Sequence, residues 1–359
     1  MKKQYIIPIF VPHLGCPNEC TFCNQRNISG GQKNVTEQDV RSTIEYYLEL
    51  FKDKNIYKEV AFFGGSFTGI DIEIQNQLLG VAYEYVKAKK IDGIRISTRP
   101  DYIDKETLRR LKKFKVKTIE LGVQSTNDYI LKRCKRGHTF DDVKRASRLI
   151  RIFGFTLGHQ MMVGLPESTR LDELNTARDL AKLKPKMIRI YPVLVIKDTE
   201  LEQEYLRGNF EPLELFQAVE ICKELTQFFE KKRIKVIRIG LQNTETITNP
   251  DKQESQVVAG PYHENMRQLV DSAYYYDLII EKLKKINTKA KEISITVNPQ
   301  IVNEIVGYKR ENIEKIKENY NLDVVVKQNE KFKIKKIDVQ ITKTYKEFAD
   351  DDETCMRRK

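Results

Sequence analysis

The stretch Cys16-Pro17-Asn18-Glu19-Cys20-Thr21-Phe22-Cys23 decides the fold, and it contains three of the six cysteines of the chain. Their spacing is C-x3-C-x2-C. Three thiolates in this pattern favour an iron–sulfur cluster, because a four-iron cluster usually takes four cysteines and this motif supplies one fewer. The fourth iron would then be open to a ligand with an amine and a carboxylate. Structural zinc is the alternative, since thiolates also bind zinc and His13 lies three residues upstream.

The composition is that of a folded protein whose cysteines stay reduced. Of the 359 residues, 40% are apolar and 32% are charged, which is enough to build a core. The opening apolar run contains Pro8 and Pro12 and leads directly into the cysteine motif, so we interpret it as a buried strand rather than a signal peptide. No run reaches the ~18–20 apolar residues of a membrane span. We therefore expect a cytoplasmic protein with no membrane partner.

The net charge of +12 favours polyanionic partners, because basic side chains that contact phosphates release condensed counterions. The charge does not name the partner by itself.

Short β-rich runs alternate with helical patterns over the first two thirds of the chain. The predicted strands are 5–11, 59–63, 94–98, 118–123, 155–163 and 187–195. Thr36 with Asp39, and Thr139 with Asp142, predict capping boxes at two helix starts. This alternation indicates an α/β fold of parallel βαβ units, and six units would form a partial (β/α)6 barrel. Chemistry in such barrels gathers at the carboxyl ends of the strands.

The sequence divides into four predicted regions: a barrel at 1–245, a connector with a helix at 246–288, a small α+β domain at 289–346 and a tail at 347–359. Between 282 and 346 there are 16 Lys and Arg residues against 8 Asp and Glu residues, a local excess of +8. Gly307-Tyr308-Lys309-Arg310 lies between two predicted helices of this domain. The alternative to a nucleic-acid-binding function for this domain is a packing module whose basic face only contacts solvent.

Further motifs follow the cysteines in a fixed order. Phe22 precedes the last cysteine, and Gly64-Gly65-Ser66 follows a predicted strand. The remaining stretches are ISTRPD at 96–101, IELGVQS at 119–125, KRGHT at 135–139, GHQMMVGLP at 158–166 and IRIYPVLVI at 188–196. Together they resemble the radical S-adenosylmethionine superfamily. The similarity is closest to the radical domain of the Elongator catalytic subunit, a transfer-RNA modifying enzyme, over roughly residues 5–245. Oxygen-independent coproporphyrinogen oxidase shares a more distant version of this framework.

This resemblance implies a TIM-like radical barrel and two cofactors, a [4Fe-4S] cluster and S-adenosylmethionine. One electron from the cluster would cleave S-adenosylmethionine to a 5′-deoxyadenosyl radical, so an electron donor such as ferredoxin or flavodoxin is an implied partner. The implied metal ligands are Cys16, Cys20 and Cys23. The implied S-adenosylmethionine contacts are Phe22, Gly64, Gly65, Ser66, Ser97, Gln124, Arg136 and Gln160. Arg136 would hold the methionine carboxylate as a charge-assisted pair.

Two further groups of residues are candidates for substrate binding. His159, placed at a strand end and expected to face the cavity, would contact substrate with Tyr191 and Lys197. The C-terminal domain resembles a KH domain, in which a G-x-x-G loop clamps a nucleic-acid backbone. Gly307, Lys309 and Arg310 would be the RNA-binding residues, with arginine in place of the second glycine.

Three functions remain open from the sequence. The first is a radical enzyme that modifies RNA, with transfer RNA as the expected substrate. The second is a radical enzyme acting on a small molecule such as a tetrapyrrole. The third is a non-catalytic RNA-binding protein with a structural or redox-sensing cluster. The Elongator subunit carries an acetyltransferase domain where this chain has the KH-like module, so carboxymethylation of uridine is not carried over.

Overall fold

The computed structural model describes residues 4–11, 20–24, 35–51, 53, 55–244, 246–285 and 290–344. The chain divides into two compact units, Met1–Met266 and Arg267–Lys359. The division falls inside the predicted connector at 246–288, and the predicted domain limits remain predictions.

A curled half-barrel sheet of seven strands forms the first unit. All neighbouring strands in it run parallel. In sequence and spatial order they are β1 Gln4–Phe10, β2 Tyr57–Phe63, β3 Gly93–Thr98, β4 Val116–Gln124, β5 Thr156–Val163, β6 Met187–Pro192 and β8 Lys235–Ile239. Six of these strands confirm the predicted α/β barrel, and β8 is a seventh that the six-unit prediction did not include.

Helices connect these strands, as parallel pairing requires. They are α1 Glu37–Leu50, α2 Ile72–Lys87, α3 Lys105–Lys113, α4 Asp128–Arg133, α5 Phe140–Ile152, α6 Arg170–Lys182, α7 Glu200–Leu206 and α8 Leu215–Lys231. The predicted capping boxes are present at Thr36 and Thr139, where each threonine hydroxyl accepts a hydrogen bond from the backbone of the residue three positions on. These caps fix where α1 and α5 begin.

Successive side chains of each strand point to opposite faces of the sheet. In β3 the isoleucines Ile94 and Ile96 are fully buried on one face, while Arg95 and Ser97 are buried on the other. Burial on both faces is typical of parallel sheets. The inner face of this sheet is therefore rich in polar groups, and the outer face supplies the apolar core.

A two-stranded antiparallel sheet adds to the first unit. It pairs β7 Val195–Ile196 with β9 Val257–Ala259. Val193, Val195 and Leu201 join Cys20 and Phe22 in one hydrophobic cluster, so this part of the chain packs against the cysteine segment.

The second unit contains most of α9 Met266–Leu283, followed by β10 Ala290–Val297, α10 Val302–Val306, α11 Glu311–Tyr320, β11 Asp323–Gln328 and β12 Ile337–Thr344. Its sheet has the order β11-β10-β12, with β11 parallel and β12 antiparallel to β10. Ile293, Ile295, Val297, Ile305 and Ile316 form its core. The succession of strand, two helices and two strands matches the sequence-based expectation, whereas the KH assignment remains a prediction.

Candidate active site

A cavity of about 250 Å³ lies at the carboxyl ends of the parallel strands in the first unit. It is lined by ten of the predicted site residues: Cys20, Phe22, Cys23, Gly64, Gly65, Ser97, Gln124, Arg136, Gln160 and Tyr191. They come from segments far apart in sequence and meet because the cysteine segment, the turn after β2, the strands β3 to β6 and the loop before α5 converge at this cavity.

The cysteine segment is held in place by backbone hydrogen bonds. The Cys23 amide donates to the Cys20 carbonyl at 2.9 Å, the Thr21 amide donates to the Cys134 carbonyl at 3.3 Å, and the Leu201 amide donates to the Thr21 carbonyl at 2.8 Å. Cys20 is buried and Cys23 is half-buried. The Cys20 and Cys23 residues therefore line the same cavity, and the backbone hydrogen bond between them fixes their relative position.

Cys16, the third predicted cluster ligand, and His13, the alternative zinc ligand, lie outside the described residues. Within the described ranges, no three His, Cys, Asp or Glu side chains lie close enough together to hold a metal ion.

Arg136 connects the cysteine segment to β4. Its Nη1 donates to the Cys20 Sγ at 3.3 Å, and its Nη2 donates to the Gly122 carbonyl at 2.7 Å. A guanidinium is therefore placed beside a predicted cluster ligand, where a carboxylate could approach it.

Gln124 ends β4 in a left-handed conformation, with φ at +73°. Strained backbone of this kind in a non-glycine residue concentrates at ligand sites. Its side-chain Oε1 is buried and has no hydrogen-bond partner within the described part of the chain. A buried acceptor without a donor is costly, so this oxygen fits a cavity that receives a polar ligand. Together with the two thiols and Arg136, this acceptor fits the S-adenosylmethionine that the sequence resemblance implies.

The turn after β2 needs glycine at its first position. Gly64 has a φ of +93°, and a Cβ there would lie 2.4 Å from the Val11 carbonyl oxygen. Ser66, two residues on, has a structural part: its Oγ lies 2.8 Å from Thr98 Oγ1 and accepts from the Arg99 amide at 3.2 Å. Ser66 does not line the cavity, so any contact from this turn to a ligand comes from Gly64 and Gly65.

A layer of ion pairs lies on the inner face below the cavity. Arg95 donates to Glu59 at 2.6 Å and to Glu120 at 2.5 Å, and Arg189 donates to Glu120 at 2.6 Å. Burial by itself would raise the pKa of the Glu120 carboxyl, but the Arg189 and Arg95 guanidiniums hold that pKa below its usual value. Gln160 donates to Glu120 at 3.2 Å and to Ser97 at 3.3 Å, which fixes these two predicted S-adenosylmethionine contacts, Gln160 and Ser97, relative to each other.

The expectation that His159 faces the cavity is wrong. Its ring is fully buried on the outer face of β5, with Nε2 2.9 Å from Ser147 Oγ on α5. Gln160 faces the cavity, and its strand neighbour must therefore face the helices. Burial lowers the pKa of His159 to about 3, so the imidazole is neutral. Lys197 does not line the cavity either, although Tyr191 does.

Three arginines that line the cavity, Arg99, Arg189 and Arg238, were not among the predicted site residues. The sequence carries a signal for two of them. The tripeptide Ile-Arg-Ile occurs within strands at 94–96, 188–190 and 237–239, and a fourth copy at 150–152 ends the helix α5. Alternation places both isoleucines on one face and the arginine on the other, so a charged residue between two buried ones indicates a polar inner face.

The predicted RNA-binding loop lies in the second unit, between α10 and α11. Gly307 has a φ of +83°, and a Cβ there would lie 2.8 Å from the Asn312 amide nitrogen. Lys309 and Arg310 are exposed and left-handed, with φ of +49° and +69°. Arg310, where the predicted KH pattern would have its second glycine, has a backbone conformation that glycine favours.

Within the described residues, no helix combines the length and the apolar character that crossing a membrane would need.

The chain is similar in sequence to known radical SAM proteins. Residues 10–180 match the radical SAM superfamily, and residues 185–275 match the radical SAM C-terminal domain. A tRNA uridine(34) acetyltransferase of Methanocaldococcus jannaschii is 33% identical over 183 residues, covering 45% of this chain and 34% of that protein. Elongator complex protein 3 of Homo sapiens is 28% identical over 148 residues, covering 40% of this chain and 27% of that protein.

The same fold occurs in a solved structure of the archaeal Methanocaldococcus infernus Elp3. The TM-score is 0.59 at 23% sequence identity, and the match covers 79% of this chain and 64% of that chain. The chain matches only about a third of the length of the tRNA uridine(34) acetyltransferase.

Proposed function

The chain belongs to the radical S-adenosylmethionine superfamily, whose enzymes use a [4Fe-4S] cluster and S-adenosylmethionine, and from this premise we propose that its substrate is RNA, with transfer RNA as the class. The meeting of Cys20, Cys23, Arg136 and Gln124 at one cavity supports the radical chemistry. The observation that carries the RNA substrate is the similarity to proteins named for tRNA uridine 34, together with the net charge of +12.

The residues of the cavity have distinct parts in this proposal. Cys20 and Cys23 would hold the cluster with Cys16. Arg136 would hold the methionine carboxylate, and the backbone of Gly64 and Gly65 would hold the amino group. Ser97, Gln124 and Gln160 would contact the rest of S-adenosylmethionine, with Phe22 beside it. When bound, the cluster and S-adenosylmethionine supply a 5′-deoxyadenosyl radical. The apolar lining from Phe10, Phe63 and Met162 would exclude water from that chemistry.

Charge and similarity support RNA as the substrate. The chain carries a net charge of +12, and residues 282–346 carry an excess of +8. Two of its similar proteins are named for uridine 34 of tRNA or for Elongator. The exposed Lys309 and Arg310 would bind phosphates. A one-electron donor such as ferredoxin or flavodoxin would reduce the cluster.

Crosslinking in cells, followed by sequencing of the bound RNA, tests the substrate class. We expect tRNA to be enriched, and mass spectrometry of nucleosides from a deletion strain to show one modification missing. Wild-type protein should restore that nucleoside, whereas Cys20→Ala protein should not. Absence of both effects would contradict RNA as the substrate and favour a small molecule.

A further inference from the structure

Arg189 and Arg238 lie side by side on neighbouring strands, β6 and β8, and both line the cavity. Gln160 lies next to Arg189 at the same level of β5. Two positive charges at adjacent positions repel each other, so this pairing needs a compensating negative charge.

The carboxylates of the inner face do not supply enough negative charge. Three guanidiniums, those of Arg95, Arg189 and Arg238, face two carboxylates, those of Glu59 and Glu120. Arg95 pairs with both carboxylates and Arg189 pairs with Glu120, whereas Arg238 forms no ion pair with any carboxylate of the described ranges. The lining of the cavity, as far as it is described, contains no aspartate or glutamate.

Main-chain carbonyls are what Arg238 binds instead. Its Nε donates to the Gly240 carbonyl at 3.0 Å, and its Nη2 donates to the Leu241 carbonyl at 3.2 Å. These bonds fix the guanidinium in place without neutralising it. Burial lowers the pKa of Arg238, Tyr191 raises it and the charge of Arg189 lowers it further, which is the direction expected for a cation with too few anions around it.

We propose that Arg238, with Arg189 and Tyr191 beside it, forms an anion-binding subsite that takes a phosphate or carboxylate group of the substrate. A guanidinium held in a fixed orientation suits either anion, because both accept two parallel hydrogen bonds. The assignment of the anion to the substrate rests on the proposed function, whereas anion binding at Arg238 does not.

This subsite is separate from the predicted site of the methionine carboxylate. Arg136 binds the carbonyl of Gly122 on β4, and the pairing Gly122–Gln160–Arg189–Arg238 runs three strands along the sheet. At ~4.8 Å between strands, Gly122, which Arg136 contacts, and Arg238 lie about 14 Å apart along the curled sheet. The two arginines therefore enter the cavity from different parts of its wall.

The test uses the full chain, anaerobically reconstituted and saturated with S-adenosylmethionine. Thermal unfolding is measured in phosphate, in malonate and in chloride at equal ionic strength, for wild type, Arg238→Gln and the control Arg148→Gln. Arg148 is exposed on the outer helix α5. Phosphate stabilises proteins non-specifically, so the subsite is tested by the difference between the variants in how far phosphate raises the unfolding midpoint. We expect phosphate, malonate or both to raise the wild-type and Arg148→Gln midpoints more than that of Arg238→Gln.

Binding of uridine 5′-monophosphate and of uridine then separates phosphate from carboxylate recognition. If the subsite takes phosphate, the monophosphate should bind wild type about ten- to a hundredfold more tightly than uridine, and this preference should be lost in Arg238→Gln. A response to malonate alone would assign a carboxylate. Arg238→Lys keeps the positive charge but loses the two parallel donors of the guanidinium. Its anion-induced stabilisation should therefore lie between those of wild type and Arg238→Gln. If Arg238→Gln does not fold, Arg238→Lys is used in its place.

Equal anion responses of wild type and Arg238→Gln would overturn the subsite. Weaker binding of S-adenosylmethionine by Arg238→Gln would also overturn it, because the cation would then serve the cofactor. If the anion response depends on Arg238 but no RNA is bound or modified, the subsite stands and the proposed RNA substrate fails.

Discussion

Arg136 connects the cysteine segment to the end of β4, because one of its nitrogens contacts Cys20 and another contacts the Gly122 carbonyl. A hydrogen bond to a cluster-ligating sulfur is one of the means by which proteins tune such clusters. A single side chain can therefore orient the cysteine segment and still present a cation to the cavity.

Replacing Arg136 by alanine should weaken S-adenosylmethionine binding and leave the cluster in place. A charge-assisted hydrogen bond contributes about 1.5–3 kcal/mol, or roughly ten- to a hundredfold in affinity. Anaerobic calorimetry with reconstituted protein measures the dissociation constant, and iron analysis measures the cluster. Arg148→Ala on α5 is the matched control. An unchanged dissociation constant in Arg136→Ala would show that this residue does not hold the ligand.

His159 predicts a pH dependence of stability. Its pKa is about 3 in the native state, against ~6.5 in the unfolded chain, so below pH 6.5 only the unfolded chain takes up the proton. Stability should therefore fall as the pH falls through this window. Between pH 7.5 and pH 5, wild type should lose about 2 kcal/mol relative to His159→Gln. Urea unfolding at both pH values measures the difference, and parallel losses in the two proteins would contradict a buried neutral imidazole.

At the scale of elements, each parallel strand divides its residues between the helix layer and the cavity. This division explains both the misplacement of His159 and the missed arginines. GHQMMVGLP indicated a strand end correctly, but the choice between His159 and Gln160 required the register of β5 against its neighbours. That register is set by pairing with β4 and β6, which are distant in sequence.

The turn after β2 gives a matched pair of glycine substitutions. Gly64→Ala would place a Cβ against the Val11 carbonyl in a backbone conformation that alanine disfavours, and it should cost at least ~2 kcal/mol. Gly80 lies within α2, where an added Cβ would enter open space among the described residues, so Gly80→Ala should stabilise by about 0.5–1 kcal/mol. Thermal unfolding of both variants measures this, and a tolerated Gly64→Ala would refute the close approach.

The loop between α10 and α11 predicts a salt-dependent effect on RNA binding. Changing Lys309 and Arg310 to Glu should weaken binding to all RNA sequences, because phosphate contacts position without specifying. The slope of log affinity against log salt should fall by about 1.4–1.8, at roughly 0.7–0.9 per phosphate contact.

Arg310→Gly is the matched control for this loop. Glycine keeps the left-handed backbone at φ +69° and removes one cation, so the slope should change by about half as much. Cleavage of S-adenosylmethionine without RNA should be unaffected in both variants. Unaltered affinity and slope in the double variant would mean that this loop does not bind RNA.

For the whole molecule, the sequence predicted more of the fold than of the site. Strand and helix periodicity was enough to predict six of the seven parallel strands of the first unit, because buried isoleucines and valines recur in short runs. β8 was missed, since Lys235–Ile239 is short and contains two basic residues. The polar layer of the inner face was missed as a unit, because Glu59, Arg95 and Glu120 meet only when three separate strands pair.

The central claim is that the cysteine segment and the cavity beside it form a radical S-adenosylmethionine site. Measuring 5′-deoxyadenosine from anaerobic, reduced protein tests it most directly. Reconstituted wild type should convert S-adenosylmethionine to 5′-deoxyadenosine, and Cys20→Ala protein treated in the same way should form none. Equal amounts from both proteins, or none from cluster-loaded wild type, would contradict the claim.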